Sequence, residues 1–132
     1  MNYKVDPVVS VIVTTKNEER NIGACLESVV QQSMTLLEMI VVDNYSEDKT
    51  TDIAREYGAE VFEKGPERSA QRNYGVEKAQ GQYILYLDAD MRLSSGLLED
   101  CVNRCAVDAE ISGIYIPEII VGEGFWIKDR KF

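Results

Sequence analysis

Apolar residues fall into short blocks separated by polar turns, and the blocks alternate between two periods. Val8 to Val13 is a nearly continuous, valine-rich run, which predicts a strand buried on both faces. Polar residues Thr14 to Arg20 follow. Ile22, Leu26, Val29 and Val30 then recur at helical spacing, predicting an amphipathic helix to about Gln32, with Glu18 and Glu19 near its positive end. Met39 to Val42 predicts a second buried strand, and Asp43-Asn44-Tyr45-Ser46 a turn. Ser46 is the expected N-cap of a helix that carries Ile53 and Tyr57 on one face and ends at Gly58. Glu60 to Glu63 predicts a short third strand. Gly65-Pro66 breaks the chain, Glu67 to Gln80 predicts a third helix closed by Gly81, and Tyr83 to Leu87 predicts a fourth strand. Ser94 or Ser95 is expected to cap a fourth helix with Leu97, Leu98, Cys101, Val102 and Cys105 inward. Ile114 to Val121 predicts a fifth strand, where Pro117 points to an edge position or a bulge.

Strands alternating with helices imply an α/β domain with a mostly parallel sheet and helices on both faces. In such a sheet, ligands bind outside the carboxyl ends of the strands. The 132 residues suffice for one domain with its own core. Phe125, Trp126 and Ile127 near the end need a surface to pack on. Either they fold back on the sheet or the chain is cut inside a larger domain, and the second is the expectation.

Charge and composition narrow the function. With 14 basic against 23 acidic residues the net charge is −9, which disfavours nucleic acid as a partner. The absence of histidine removes His-based triads, His general bases and zinc–His sites from this chain. Cys25, Cys101 and Cys105 form no CxxC and read as buried thiols, so a reducing, cytoplasmic setting is expected. No apolar run approaches the ~20 residues of a membrane span.

The polar clusters fall where the fold rule puts a ligand. They are Thr14-Thr15-Lys16-Asn17-Glu18 after the first strand, Asp43-Asn44 after the second, Arg68 after the third and Asp88-Ala89-Asp90 after the fourth. Two carboxylates two residues apart in extended chain point the same way and repel unless a cation or proton intervenes. Mg²⁺ or Mn²⁺ on a diphosphate suits such a pair, because these ions need only one or two carboxylates when phosphates and water complete the shell. Asp43 and Asn44 could bind a base edge or a ribose hydroxyl. Arg68 and Arg72 share a helix face and could meet a diphosphate. The blander readings are turn residues, N-caps and a solvated helix face. No GxGxxG follows the first strand and no GxxxxGK[ST] occurs, which disfavours dinucleotide and P-loop sites.

The segments VSVIVTTKNEERNI, IVVDNYSEDKT and RSAQRNYGVEKAQGQYILYLDAD resemble glycosyltransferase family 2, of the GT-A fold, from Val8 to about Val121. The resemblance implies an inverting transferase that uses a nucleotide-diphosphate sugar, UDP- or GDP-linked, with Mg²⁺ or Mn²⁺. By position it puts Thr14, Thr15, Asn17 and Glu18 around the nucleoside. It puts Asp43 and Asn44 on the base- and ribose-contacting turn, and Arg68 near the diphosphate. Asp88 and Ala89 would line the sugar-nucleotide site, with Asp88 and Asp90 as metal ligands. Where Asn44 stands, the family often has a second Asp. The family's general base and acceptor-binding part would lie beyond residue 132, so no base is assigned. A glycan, lipid or protein acceptor, peripheral membrane association through it, and a homodimer are all compatible. The alternative is a nucleotide-sugar-binding module without catalysis of its own. A sugar-phosphate nucleotidyltransferase would need a Gly-rich loop after the first strand, and TTKNEER supplies none.

Overall fold

The computed structural model of the chain describes residues 7–34 and 37–118. The chain divides into two compact units, Met1–Glu99 and Asp100–Phe132. The first holds four strands in a fully parallel sheet of order β3-β2-β1-β4. They are β1 (Val9–Thr15), β2 (Leu37–Asp43), β3 (Glu60–Glu63) and β4 (Tyr83–Asp88). The helices are α1 (Ile22–Val30), α2 (Thr50–Glu56), α3 (Arg68–Lys78) and α4 (Leu97–Val107), the last running across the division between units.

β1 is the spine, because its valine run allows burial at every one of its seven positions. β2 and β4 flank it in close register, Thr15 beside Asp43 and Thr14 beside Asp88, so three strands end level. The chain steps outward from β1 to β2 to β3, then crosses back to β4 on the far side of β1. Right-handed crossovers therefore put α1 and α2 on one face and α3 on the other. On the α3 face Ile12, Ile40 and Val42 form a buried cluster against which Phe62, Tyr74 and Ala79 pack. Gly75 permits the close approach, since a Cβ there would lie 2.5 Å from Ile12 Cγ2. The chain leaves β1 toward β2 on one side and returns to β4 on the other, and this reversal of strand order opens a crevice beside the end of β1, where such folds bind ligands.

Several local expectations change. Ser46 does not cap α2, which starts at Thr50 after Lys49. Its hydroxyl instead bonds back to Asp43. α1 starts at Ile22, so Glu18 and Glu19 lie ahead of its first turn rather than in it. Gly58 ends α2 as expected: at φ +83 it supports a Schellman pair, Ala59 N to Ala54 O at 3.1 Å and Gly58 N to Arg55 O at 2.9 Å. Gly81 is not a helix cap. It lies against β1, where a Cβ would come within 2.6 Å of Ser10 N. Cys25 is buried, whereas Cys101, Val102 and Cys105 are half-buried rather than inward. Residues 114–118 form no strand, and 119–121 lie outside the described residues, as do Phe125, Trp126 and Ile127. No helix among the described residues is long and apolar enough to cross a membrane.

Candidate donor-binding site

The level ends of β1 and β4, with the start of α3 above them, enclose a cleft of about 220 Å³. Thr14, Thr15, Lys16, Glu18, Arg68, Gln71, Asp88, Ala89 and Asp90 line it. Six of these were expected from the sequence by strand-end position and family resemblance together: Thr14, Thr15, Glu18, Arg68, Asp88 and Asp90; Ala89 came with the resemblance. Asn17, Asp43 and Asn44 do not line it and instead tie the neighbouring strand-end loops.

β4 ends on Asp88, and the chain then turns, Met91 N–H donating to Asp88 O at 3.0 Å. Asp90 therefore sits in a turn, and the extended-chain alternation expected to align the two carboxylates does not operate. The turn brings both to the cleft all the same. Asp88 is 26% exposed and meets three partners. Arg68 Nη1 lies 3.5 Å from Oδ2, Arg72 Nη2 lies 3.6 Å from Oδ1, and the Thr14 hydroxyl donates to Oδ1 at 3.2 Å. Arg72 also stacks over Tyr86, 5.5 Å from the ring centre. These contacts are long and both arginines are substantially exposed, so each pair contributes about 0–1 kcal/mol to stability. They set Arg68 in the cleft wall and Arg72 beside the same carboxylate. Asp90 is exposed and makes no ion pair among the described residues.

Behind this end, the Cys25 thiol lies 3.7 Å from Asp88 O. Burial, with the nearby Asp90 and Asp88 charges, pushes it up to about 12, so it stays a neutral thiol.

The other end is built by hydrogen bonds. Asp43 is fully buried, and its two oxygens accept from the Ser46 hydroxyl at 2.5 Å and the Ser46 N–H at 2.8 Å. Ser46 Oγ also accepts from Asn17 N at 2.7 Å, and Asn17 Oδ1 accepts from Glu47 N at 2.9 Å. Asn17 takes φ 51, a left-handed conformation that Asn tolerates better than most residues. Glu18 N donates to Thr50 Oγ1 at 2.9 Å. Two strand-end loops are thereby clasped together. Asn44 is fixed by its N–H to Thr15 O at 2.9 Å and by its amide to Pro66 O at 3.0 Å.

Gln71 is the lining residue not named from the sequence, and Lys16 was named only within the polar cluster after the first strand. Gln71 is 5% exposed, and its Nε2 donates to Thr15 O at 3.1 Å and Val42 O at 2.8 Å. A glutamine one turn after Arg68 gives no sign that two strand-end carbonyls await it. The Thr15 hydroxyl is buried with no partner among the described residues.

Could this site hold a metal? Asp88 and Asp90 offer only hard oxygen donors, which suit Mg²⁺ or Mn²⁺. Among the described residues no three acidic, Cys or His groups cluster, so no all-protein cage exists. The donor set fits an ion that arrives on a diphosphate, with Asp90 the freer carboxylate because Asp88 already faces two guanidinium groups.

The sequence model described as Glycosyl transferase family 2 matches residues 10–132. The chain belongs to this family. It is 37% identical over 111 residues to the putative glycosyltransferase EpsH of Bacillus subtilis (strain 168), covering 80% of this chain and 32% of that protein. Among solved structures it resembles S. aureus TarS 1–349 in complex with UDP-GlcNAc. That match has TM-score 0.72 and 27% identity, covering 84% of this chain and 37% of the other. It also resembles the mannosyltransferase PcManGT of Pyrobaculum calidifontis in complex with GDP-Man and Mn²⁺. Here the TM-score is 0.68 and the identity 28%, covering 77% and 33% of the two chains. The parallel sheet and flanking helices are thus those of a GT-A family 2 domain. The chain spans about a third of the length of the curated relatives it matches.

Proposed function

We propose that this chain is the donor-binding part of an inverting glycosyltransferase that moves a sugar from a UDP- or GDP-linked donor to an acceptor hydroxyl. The observation that carries the reading is Arg68 beside Asp88 in the wall of a cleft that Asp90 also lines, with Arg72 as a second guanidinium on Asp88. A nucleoside diphosphate needs cations at its phosphates and hydrogen-bonding groups at its ribose, and the cleft lining offers Arg68 for the first and Thr14, Thr15, Glu18 and Gln71 for the second. The complexes of TarS with UDP-GlcNAc and of PcManGT with GDP-Man and Mn²⁺ support the same ligand class.

In the reaction the acceptor oxygen forms a bond to the anomeric carbon while the bond from that carbon to the diphosphate oxygen breaks. The electron pair leaves with the nucleoside diphosphate, and the acceptor proton passes to a carboxylate base. Arg68, in the cleft wall, would stabilise the charge that grows on the departing phosphate, with Arg72 beside Asp88 as the second cation. Asp90, with Asp88, is the residue to hold Mg²⁺ or Mn²⁺, which when bound adds Lewis-acid stabilisation to that same charge. Thr14 and the Cys25 thiol keep Asp88 in place from either side.

Calorimetry of the chain with UDP and with GDP, each with and without Mn²⁺, tests the reading. Binding of one nucleotide that strengthens with Mn²⁺ supports it. No binding of either, or binding indifferent to Asp88→Ala and Asp90→Ala, overturns it.

A further inference from the structure

The Gln71 side chain is held in one orientation by chemistry alone. Both strand-end carbonyls, Thr15 O and Val42 O, lie within hydrogen-bond reach of the same end of the amide. Only the NH₂ end can serve two acceptors, so the flip is fixed and Oε1 faces away from the strands. Both N–H bonds are then spent, and among the described residues no donor meets Oε1. Oε1 is also absent from the buried side-chain atoms that lack a partner, which are Thr15 Oγ1 and Arg72 Nε. The residue is 5% exposed and lines the cleft, so the surface it keeps is on the cleft side. A buried polar side chain whose one free group is an acceptor in a cleft is built to receive a donor.

The sheet says which donor. Gln71 bridges the ends of β1 and β2, whereas Arg68, one turn earlier on α3, reaches Asp88 at the end of β4. Strands stand about 4.8 Å apart. A diphosphate held at Arg68, Asp88 and Asp90 thus leaves its attached ribose roughly one strand spacing along, over β1 and below Gln71. We infer that Gln71 is a specificity-determining residue whose Oε1 accepts a hydrogen bond from a ribose hydroxyl of the donor nucleotide. This rests on the donor-binding reading above. It adds a selection for ribose over deoxyribose that the metal and the arginines do not provide.

The test is calorimetry of the chain with uridine diphosphate and guanosine diphosphate and with their 2′-deoxy and 3′-deoxy analogues, all with Mn²⁺. The expected result for the wild type is about tenfold weaker binding of one deoxy analogue. In Gln71→Met that ratio falls to about one. Gln71→Lys keeps N–H donors for both carbonyls and has no acceptor, so its ratio also falls to about one, and it serves where Gln71→Met melts too low to assay. A lower affinity with the ratio intact in these variants assigns Gln71 a purely structural role and overturns the inference. Equal binding of parent and deoxy nucleotides by the wild type also overturns it while leaving the donor-binding reading standing. Failure of the wild type to bind any nucleotide sinks both.

Discussion

The two ends of the cleft are made in different ways. Toward β2, buried Asp43 grips Ser46 by two short bonds, Ser46 grips Asn17, and Gln71 ties β1 to β2. Toward β4, charges do the holding at 3.5 and 3.6 Å, on side chains open to solvent. Short hydrogen bonds anchored on the buried Asp43 and Gln71 fix a shape, whereas loosely paired surface ions cost little to re-pair with an incoming ligand. The β2 end is a preformed mould, and the β4 end is a set of charges that a diphosphate and its ion can rearrange.

That contrast can be broken most severely at Asp43. Asp43→Ala strands the Ser46 groups and loosens Asn17, so it is expected to cost roughly 2–4 kcal/mol of stability in urea denaturation. A loss below about 0.5 kcal/mol would show that the clasp is not structural. At the other end, Asp90→Ala is expected to leave the melting temperature unchanged and to weaken Mn²⁺-dependent nucleotide binding on the order of 100-fold. Arg68→Ala and Arg72→Ala are each expected to change stability by less than about 1 kcal/mol and to lower nucleotide affinity about tenfold, with a flatter dependence on salt. Equal stability losses from Asp43→Ala and Arg68→Ala would erase the distinction between the two ends.

The smallest effect is expected at Asp48. Partial desolvation raises its carboxyl, but hydrogen bonds from the Thr50 hydroxyl and from the Thr50 and Glu19 N–H groups outweigh this and hold it below its ordinary value. A lowered folded-state value stabilises the fold above the unfolded carboxyl's range, about pH 4, and the gain is lost as pH falls through the folded value. Acid denaturation followed by circular dichroism should therefore begin at slightly higher pH in Thr50→Val. An unchanged acid limb would show that these bonds do not favour the carboxylate.

Much of this was legible in the sequence, for identifiable reasons. β1 and β2 announce themselves because burial on both faces of β1 and at the end of β2 demands unbroken apolar runs. Parallel topology then levels the strand ends, which is why Thr14, Thr15, Arg68, Asp88 and Asp90 could be grouped from position alone. What failed were inferences about which way a polar side chain faces. Asp43 reads as a ligand-facing turn residue, yet its fully buried carboxylate is occupied by Ser46. Ser46 has the chemistry of a cap and spends it on two loops instead. Gln71 looks like any polar helix residue, because its partners lie 56 and 29 positions away and meet only in the folded sheet. Asp90 reached the cleft by a turn where alternation along a strand was expected.

The most direct measurement is anomalous diffraction from crystals of the chain grown with Mn²⁺ and the nucleoside diphosphate that binds. One manganese peak within about 2.2 Å of an Asp90 or Asp88 oxygen and of the diphosphate, with the phosphates against Arg68, is the expected result. A nucleotide seated away from the ends of β1 and β4, or a manganese bound without either aspartate, would contradict it.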